Sequence, residues 1–93
     1  MRTISRTGKF KKDYRREKSG NHSKILDTAL SEIVDLLAAD KPLPRRNFDH
    51  PLQGEWNDCR DCHIRPDLIL IYRKVGKDQL DLVRLGSHSE LGF

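Results

Sequence analysis

The stretch "DLILIYRKV", residues 67–75, is apolar at both parities from Leu68 to Tyr72. Successive side chains of a strand point to opposite sides of its sheet, so a strand apolar at every position must be covered on both faces. Residues 67–75 are therefore predicted as the central strand, and the rest of the chain is read as what flanks and covers it. Downstream, the short glycine-containing turn "VGKDQ" leads into "DQLDLVRLG", residues 78–86, which gives a predicted hairpin. Upstream, "EWNDCRDCHI", residues 55–64, is the third candidate strand of this half.

The N-terminal half supplies the cover. "RTISRT", residues 2–7, alternates before Gly8 and reads as a first strand. Residues 9–18 are helical in composition, with Phe10 and Tyr14 on one face and "SG" at 19–20 as a stop. Ile25, Leu26, Ala29, Leu30, Ile33, Val34 and Leu37 recur at helical spacing, predicting an amphipathic helix from about His22 to Ala39. Pro42 and Pro44 cannot continue its backbone ladder. "RRNFDHPLQGEW", residues 45–56, has turn residues and no periodicity, so it reads as a loop. The order strand, helix, helix, three strands implies an α+β fold: one antiparallel sheet with both helices on one face and a partly polar, concave opposite face. At 93 residues this is expected to be one domain, 1–93.

Lysine and arginine total 18 against 14 aspartate and glutamate. The excess is concentrated at the start, in Arg2, Arg6, Lys9, Lys11, Lys12, Arg15, Arg16 and Lys18 against Asp13 and Glu17. Such a cluster favours a polyanion or an acidic protein partner over a neutral one. No apolar run approaches the roughly 20 residues that span a bilayer, and "MRTISRTGKF" lacks the apolar segment of a secretory signal. A cytoplasmic protein without a membrane partner is expected, and in a reducing compartment Cys59 and Cys62 are not expected to form a disulfide.

The pair Cys59 and Cys62 has the spacing of half a zinc site, but no second Cys/His pair at a matching distance accompanies it. In a strand, residues three apart point to opposite faces, so the two thiols are predicted to diverge into packing. No metal and no cofactor is expected. His22 sits at a helix start, where a capping or solvated role suffices. The other histidines lie at strand ends or in loops beside the sheet: His50 in "DHPLQG", His63 in "CHIRPD", His88 in "GSHSEL". With Asp67, Arg60, Arg65, Arg73 and Arg84 they are placed to surround one face. Metal-free RNA cleavage needs a base for the 2'-hydroxyl proton, an acid for the leaving 5'-oxygen, and cations for the developing charge. Histidine suits both proton roles and arginine the third.

"DHPLQGEW", "RDCHIRPDLILIY" and "RLGSHSEL", in this order and spacing, resemble the motifs of the YafQ-type toxins of the RelE/ParE superfamily in bacterial type II toxin–antitoxin systems. The likeness covers nearly the whole chain, the helices matching in pattern rather than in residues. It implies a small RelE-like fold and a ribosome-dependent endoribonuclease, an mRNA interferase that cleaves translated mRNA in the ribosomal A site and arrests translation. Cleavage is expected to be metal-independent, the 2'-hydroxyl attacking to leave a cyclic phosphate. By motif, the catalytic set carried over is His50, His63, Asp67 and His88, with His88 as general acid, His50 or Asp67 as general base, and His63 on the scissile phosphate. Arg60, Arg65 and Arg84 are candidate phosphate contacts, and Lys11, Lys12, Arg15 and Arg16 candidate contacts to RNA.

The implied partners are the 70S ribosome, mRNA and a cognate antitoxin. An acidic segment of that antitoxin would cover the site, and its dimeric DNA-binding domain would be the only link to operator DNA. The family's terminal phenylalanine is expected to stack on an RNA base. Here Gly92 is inserted before it, so Phe93 stands at the end of "LGF". Trp56 is read as a core anchor. The alternative from another class is a non-catalytic RNA- or ribosome-binding module acting through the basic helix.

Overall fold

The computed structural model describes residues 1–93. Its strands are β1 (Thr3–Arg6), β2 (His50–Pro51), β3 (Arg60–Arg65), β4 (Leu68–Val75) and β5 (Gln79–Gly86), and its helices α1 (Gly8–Lys18), α2 (Leu26–Ala38) and α3 (His88–Leu91). The sheet order is β1-β5-β4-β3-β2, so β4 is the middle strand. Its doubly apolar pattern is used as expected. Leu68, Leu70 and Tyr72 enter the main core with Phe10 of α1 and the apolar stripe of α2. Ile69 and Ile71 enter a smaller cluster on the other face, with Cys59, Val83 and Leu91, edged by Leu52 and Trp56.

Three features depart from the sequence reading. The sheet is mixed rather than antiparallel throughout, because β1 runs parallel to β5, with Thr3 opposite Gln79 and Arg6 opposite Leu82. The chain between them, residues 7–78, holds both helices and β2, β3 and β4, far more than the roughly a dozen residues that a parallel pairing needs to return to the same end of the sheet. The loop assigned to 45–56 holds a strand, β2, that pairs His50 with Asp61 and Pro51 with Arg60. The second helix starts at Leu26, since residues before it close tight turns through Ser23 N–H to Gly20 O and Ile25 N–H to His22 O. His22 therefore caps nothing, and α2 has no side-chain cap.

α1 matches its predicted span. Thr7 caps it, accepting from Phe10 N–H at 3.0 Å while its hydroxyl donates to Val83 O at 2.8 Å. The face toward β5 buries Asp13 and Glu17 as well as Phe10. Two irregularities shape the sheet. Pairing skips Ile64 between His63 and Arg65, and skips Val83 opposite Ile71 and Tyr72. The second lets Leu82 and Leu85 both reach the helix side while Val83 packs on the other. The cysteines diverge as strand geometry predicts: Cys62 is in the main core and Cys59 in the small cluster. Burial raises both thiols, that of Cys59 to about 11. No helix is long and apolar enough to cross a membrane.

Candidate active site

The site forms on the face of the sheet away from α1 and α2. Asp61 and His63 alternate along β3, and His50 lies across from Asp61 on β2. His63 is paired with Ile69, which is paired in turn with Gly86 at the end of β5. One residue later Ser87 starts α3 with a capping box, its hydroxyl accepting from Glu90 N–H and Glu90 accepting from Ser87 N–H. This fixes His88 at the first helical position. A Cβ at Gly86 would lie 2.7 Å from an Arg16 guanidinium nitrogen and 3.3 Å from Glu90 Cβ, so a larger residue there would displace the Arg16 side chain.

His88 is held by Asp67, in the turn between β3 and β4. Asp67 Oδ1 accepts from His88 N–H at 3.1 Å and lies 2.7 Å from His88 Nδ1. These two bonds from His88, backed by its charge, hold the Asp67 carboxyl below the usual carboxylate range. The side chain is half exposed, and the other ring nitrogen, Nε2, has no hydrogen-bond partner within the chain. The His63 ring meets that of His88 edge-on, centroids 5.3 Å apart, and meets Phe48 at 5.5 Å on the other contact.

A second histidine–carboxylate pair stands on β2 and β3. His50 Nε2 lies 2.8 Å from Asp61 Oδ1, and the Asp61 side chain is only 5% exposed while His50 is 53% exposed. The contact is off the line that an N–H···O bond requires, so this buried oxygen lacks an aligned donor. Burial pushes the Asp61 carboxyl up, and the neighbouring His50 and His63 offset only part of the rise. Asp61 was not among the residues singled out in the sequence as functional. Its alternation with His63 on one strand face is the signal that points to it.

His50, His63, Asp67 and His88 are thus brought to one face. The arginines divide. Arg65 is exposed beside His63, with one guanidinium nitrogen on Ile64 O at 3.0 Å. Arg60 is bonded to Asp49 through Nε at 3.1 Å, and Asp49 also accepts from the Tyr72 hydroxyl. Arg84 is not available in the way the sequence suggested. It turns to the helix side and binds buried Asp13 at 2.7 Å. Arg16 is likewise engaged, with Asp13, Glu17, Glu90 and Leu85 O. Lys11, Lys12 and Arg15 are exposed on α1, in the helix layer and away from the histidines. Phe93 is exposed, its N–H donating to His88 O at 2.9 Å, and inserted Gly92 takes the left-handed conformation that ends α3. Trp56 packs at the edge of the small cluster, half-buried. No group of three or more His, Cys, Asp or Glu side chains is arranged to hold a metal ion.

The chain is similar over nearly its whole length to known proteins. The mRNA interferase toxin YafQ of Escherichia coli K12 is 41% identical over 95 aligned residues, which cover 98% of this chain and 96% of its own. The crystal structure of the E. coli DinJ–YafQ complex contains a chain of the same fold, with TM-score 0.81, 36% identity, and 98% of each chain covered. A metal-bound toxin from Helicobacter pylori superposes with TM-score 0.81 at 41% identity, over 98% of this chain and 99% of that one. Residues 2–92 match the family described as "Bacterial toxin of type II toxin-antitoxin system, YafQ". With the five-stranded mixed sheet and its histidine face, this places the chain in the YafQ family of type II toxin–antitoxin toxins.

Proposed function

We propose that this toxin is a ribosome-dependent endoribonuclease that cleaves translated mRNA in the ribosomal A site by metal-independent attack of the 2'-hydroxyl. The observation that carries the reading is the pairing of His88 with Asp67 beside His63, on the same sheet face as His50 with Asp61. The E. coli relative is named an mRNA interferase, which supports the same activity here.

In the proposed reaction His50 takes the 2'-hydroxyl proton, the 2'-oxygen bonds to phosphorus, and the bond to the 5'-oxygen breaks. His88, held through Nδ1 by Asp67, gives a proton from Nε2 to that leaving oxygen. The products are a 2',3'-cyclic phosphate and a 5'-hydroxyl. Asp67 is committed to His88 and kept ionised by it, so of the two candidate bases His50 is favoured and Asp67 becomes a positioning residue. His50 is half exposed, with Nε2 against Asp61 at 2.8 Å and Nδ1 on Pro51 O at 3.2 Å, so it takes the 2'-hydroxyl proton only once its ring turns from these contacts toward substrate. His63, between His88 and Phe48, is placed to bind the scissile phosphate with Arg65. The partner that silences the site is proposed to be an antitoxin carrying an acidic segment, by analogy with the DinJ–YafQ complex.

The test is cleavage of a short mRNA on purified 70S ribosomes, with and without a single 2'-deoxynucleotide at the cleaved position. Cleavage that needs the ribosome, leaves a cyclic phosphate and stops at the 2'-deoxy position is the expected result. Cleavage at the 2'-deoxy position contradicts 2'-oxygen attack. Translation arrest with intact mRNA points instead to a non-catalytic binding module.

A further inference from the structure

The turn Arg45–Asn47 and Phe48 after it take no part in the proton transfers above. Phe48 is nonetheless 62% exposed, and it adopts φ 46°, ψ 50°, the left-handed region. A bulky side chain in that region is strained and persists only where its surroundings fix it. Those surroundings are present. Asn47 is buried, and its Nδ2 donates to His63 O at 2.7 Å, tying the turn to β3. Phe48 N–H closes the turn on Arg45 O at 3.1 Å. Asp49, next in the chain, is gripped by Arg60 and by the Tyr72 hydroxyl.

The result is a row of three rings. Phe48 meets His63 at 5.5 Å and 61°, and His63 meets His88 at 5.3 Å and 66°. Beside Phe48 lies an open cavity of about 410 Å³, lined among others by Arg46, His63, Arg65 and Pro66. Strain and exposure of an apolar ring both oppose stability, and neither is needed to position His63, which the strand already holds. An exposed aromatic ring flanked by permanent cations is how proteins hold the bases of single-stranded RNA.

We propose that Phe48, with Arg46 and Arg65, forms a stacking subsite for the base of a nucleotide flanking the cleaved bond. The subsite lies at the opposite end of the ring row from His88 and the adjoining Phe93. This rests on the reading that the scissile phosphate sits at His63, one ring away. An acidic peptide would account for the two arginines but not for a strained aromatic ring continuous with the histidines. Stacking tolerates any base, and a purine offers more area, so the subsite adds affinity with a purine preference rather than strict sequence reading.

The experiment uses 70S ribosomes carrying an mRNA with 2-aminopurine on one side or the other of the A-site bond, made uncleavable by a 2'-O-methyl group. Wild-type toxin is expected to quench one of the two probes by stacking. Phe48→Trp keeps the quench, and Phe48→Ala loses it. On the cleavable mRNA, Phe48→Ala is expected to raise KM about tenfold or more with a smaller change in kcat. Unaltered quench and KM in folded Phe48→Ala overturn the proposal. So does a loss of antitoxin affinity with the quench unchanged, which would make Phe48 a protein-docking residue. If the quench depends on Phe48 but wild type cleaves nothing, the cleavage reading fails and the subsite stands; Phe48-independent fluorescence with normal cleavage is the converse.

Discussion

His88 owes its orientation to one carboxylate oxygen that accepts from both its backbone and its ring. Replacing Asp67 with Asn keeps the size but offers a weaker, neutral acceptor. Asp67→Asn is therefore expected to slow single-turnover cleavage, by less than the roughly 10²- to 10⁴-fold loss expected on removing a general acid. Because the Asp67 carboxyl is held below the usual range, its contribution is present at neutral pH and is lost only as acidity passes below about pH 3.9, where an ordinary aspartate protonates. Asp67→Asn should thus lower the single-turnover rate throughout the neutral range, and an unchanged rate there would remove Asp67 from the positioning of His88. The gathering of His50, His63, Asp67 and His88 on one face was legible in the sequence, because each lies at a strand end or in a loop beside the sheet. The burial of Asp61 was not, since a charged residue is rarely buried, although its alternation with His63 puts it on that face. Phe48 was hidden for a related reason: its backbone strain and exposure depend on the turn being pinned to β3.

At the scale of elements, α1 and β5 are joined by a buried ion pair as well as by apolar packing. Asp13 accepts from Arg84 at 2.7 Å and from Leu85 N–H at 3.0 Å, and Arg16 bonds it from the same helix at 3.0 Å. Burial pushes its carboxyl up, but the bonds from Arg84 and Leu85 and the charges of Arg84 and Arg16 outweigh this and hold it below the usual range. Asp13→Ala leaves Arg84 and a backbone N–H without their partner and is expected to cost about 3 kcal/mol in denaturant melts. The sign in pH follows: stability from Asp13 is complete above the ordinary carboxylate pKa, about 3.9, and falls away as pH drops through the lower native value. Phe48→Asn tests the strained turn, since asparagine tolerates the left-handed region. Its melting temperature is expected to equal or exceed that of wild type, and a clear drop would mean that Phe48 stabilises the fold. α1, α2 and the three long strands could be read from apolar patterning and turn residues. The parallel pairing of β1, the two-residue β2 and the four-residue α3 could not, because each is decided by contacts distant in the chain. Asp13 and Glu17 looked like counter-charges on a basic helix, whereas the fold turns them inward and leaves Lys11, Lys12 and Arg15 outside.

The molecule as a whole presents two unlike surfaces, an α1 layer with free lysines and arginines and a sheet face with histidines and carboxylates. Binding to ribosomal RNA through the α1 layer should weaken steeply with salt. Replacing Lys11, Lys12 and Arg15 together with Gln should flatten that dependence by about 0.7 to 0.9 log units of slope per lost phosphate contact. Ribosome affinity measured across a salt series checks this, and an unchanged slope would remove the helix layer from the interface. The central claim, that His88 delivers the proton in an mRNA cleavage, is tested most directly by primer extension on a reporter mRNA after brief induction. Wild-type toxin is expected to give discrete new 5' ends within the translated frame, and His88→Ala, altered at an exposed position, to give none while remaining folded. The same ends at the same intensity from His88→Ala would contradict the account.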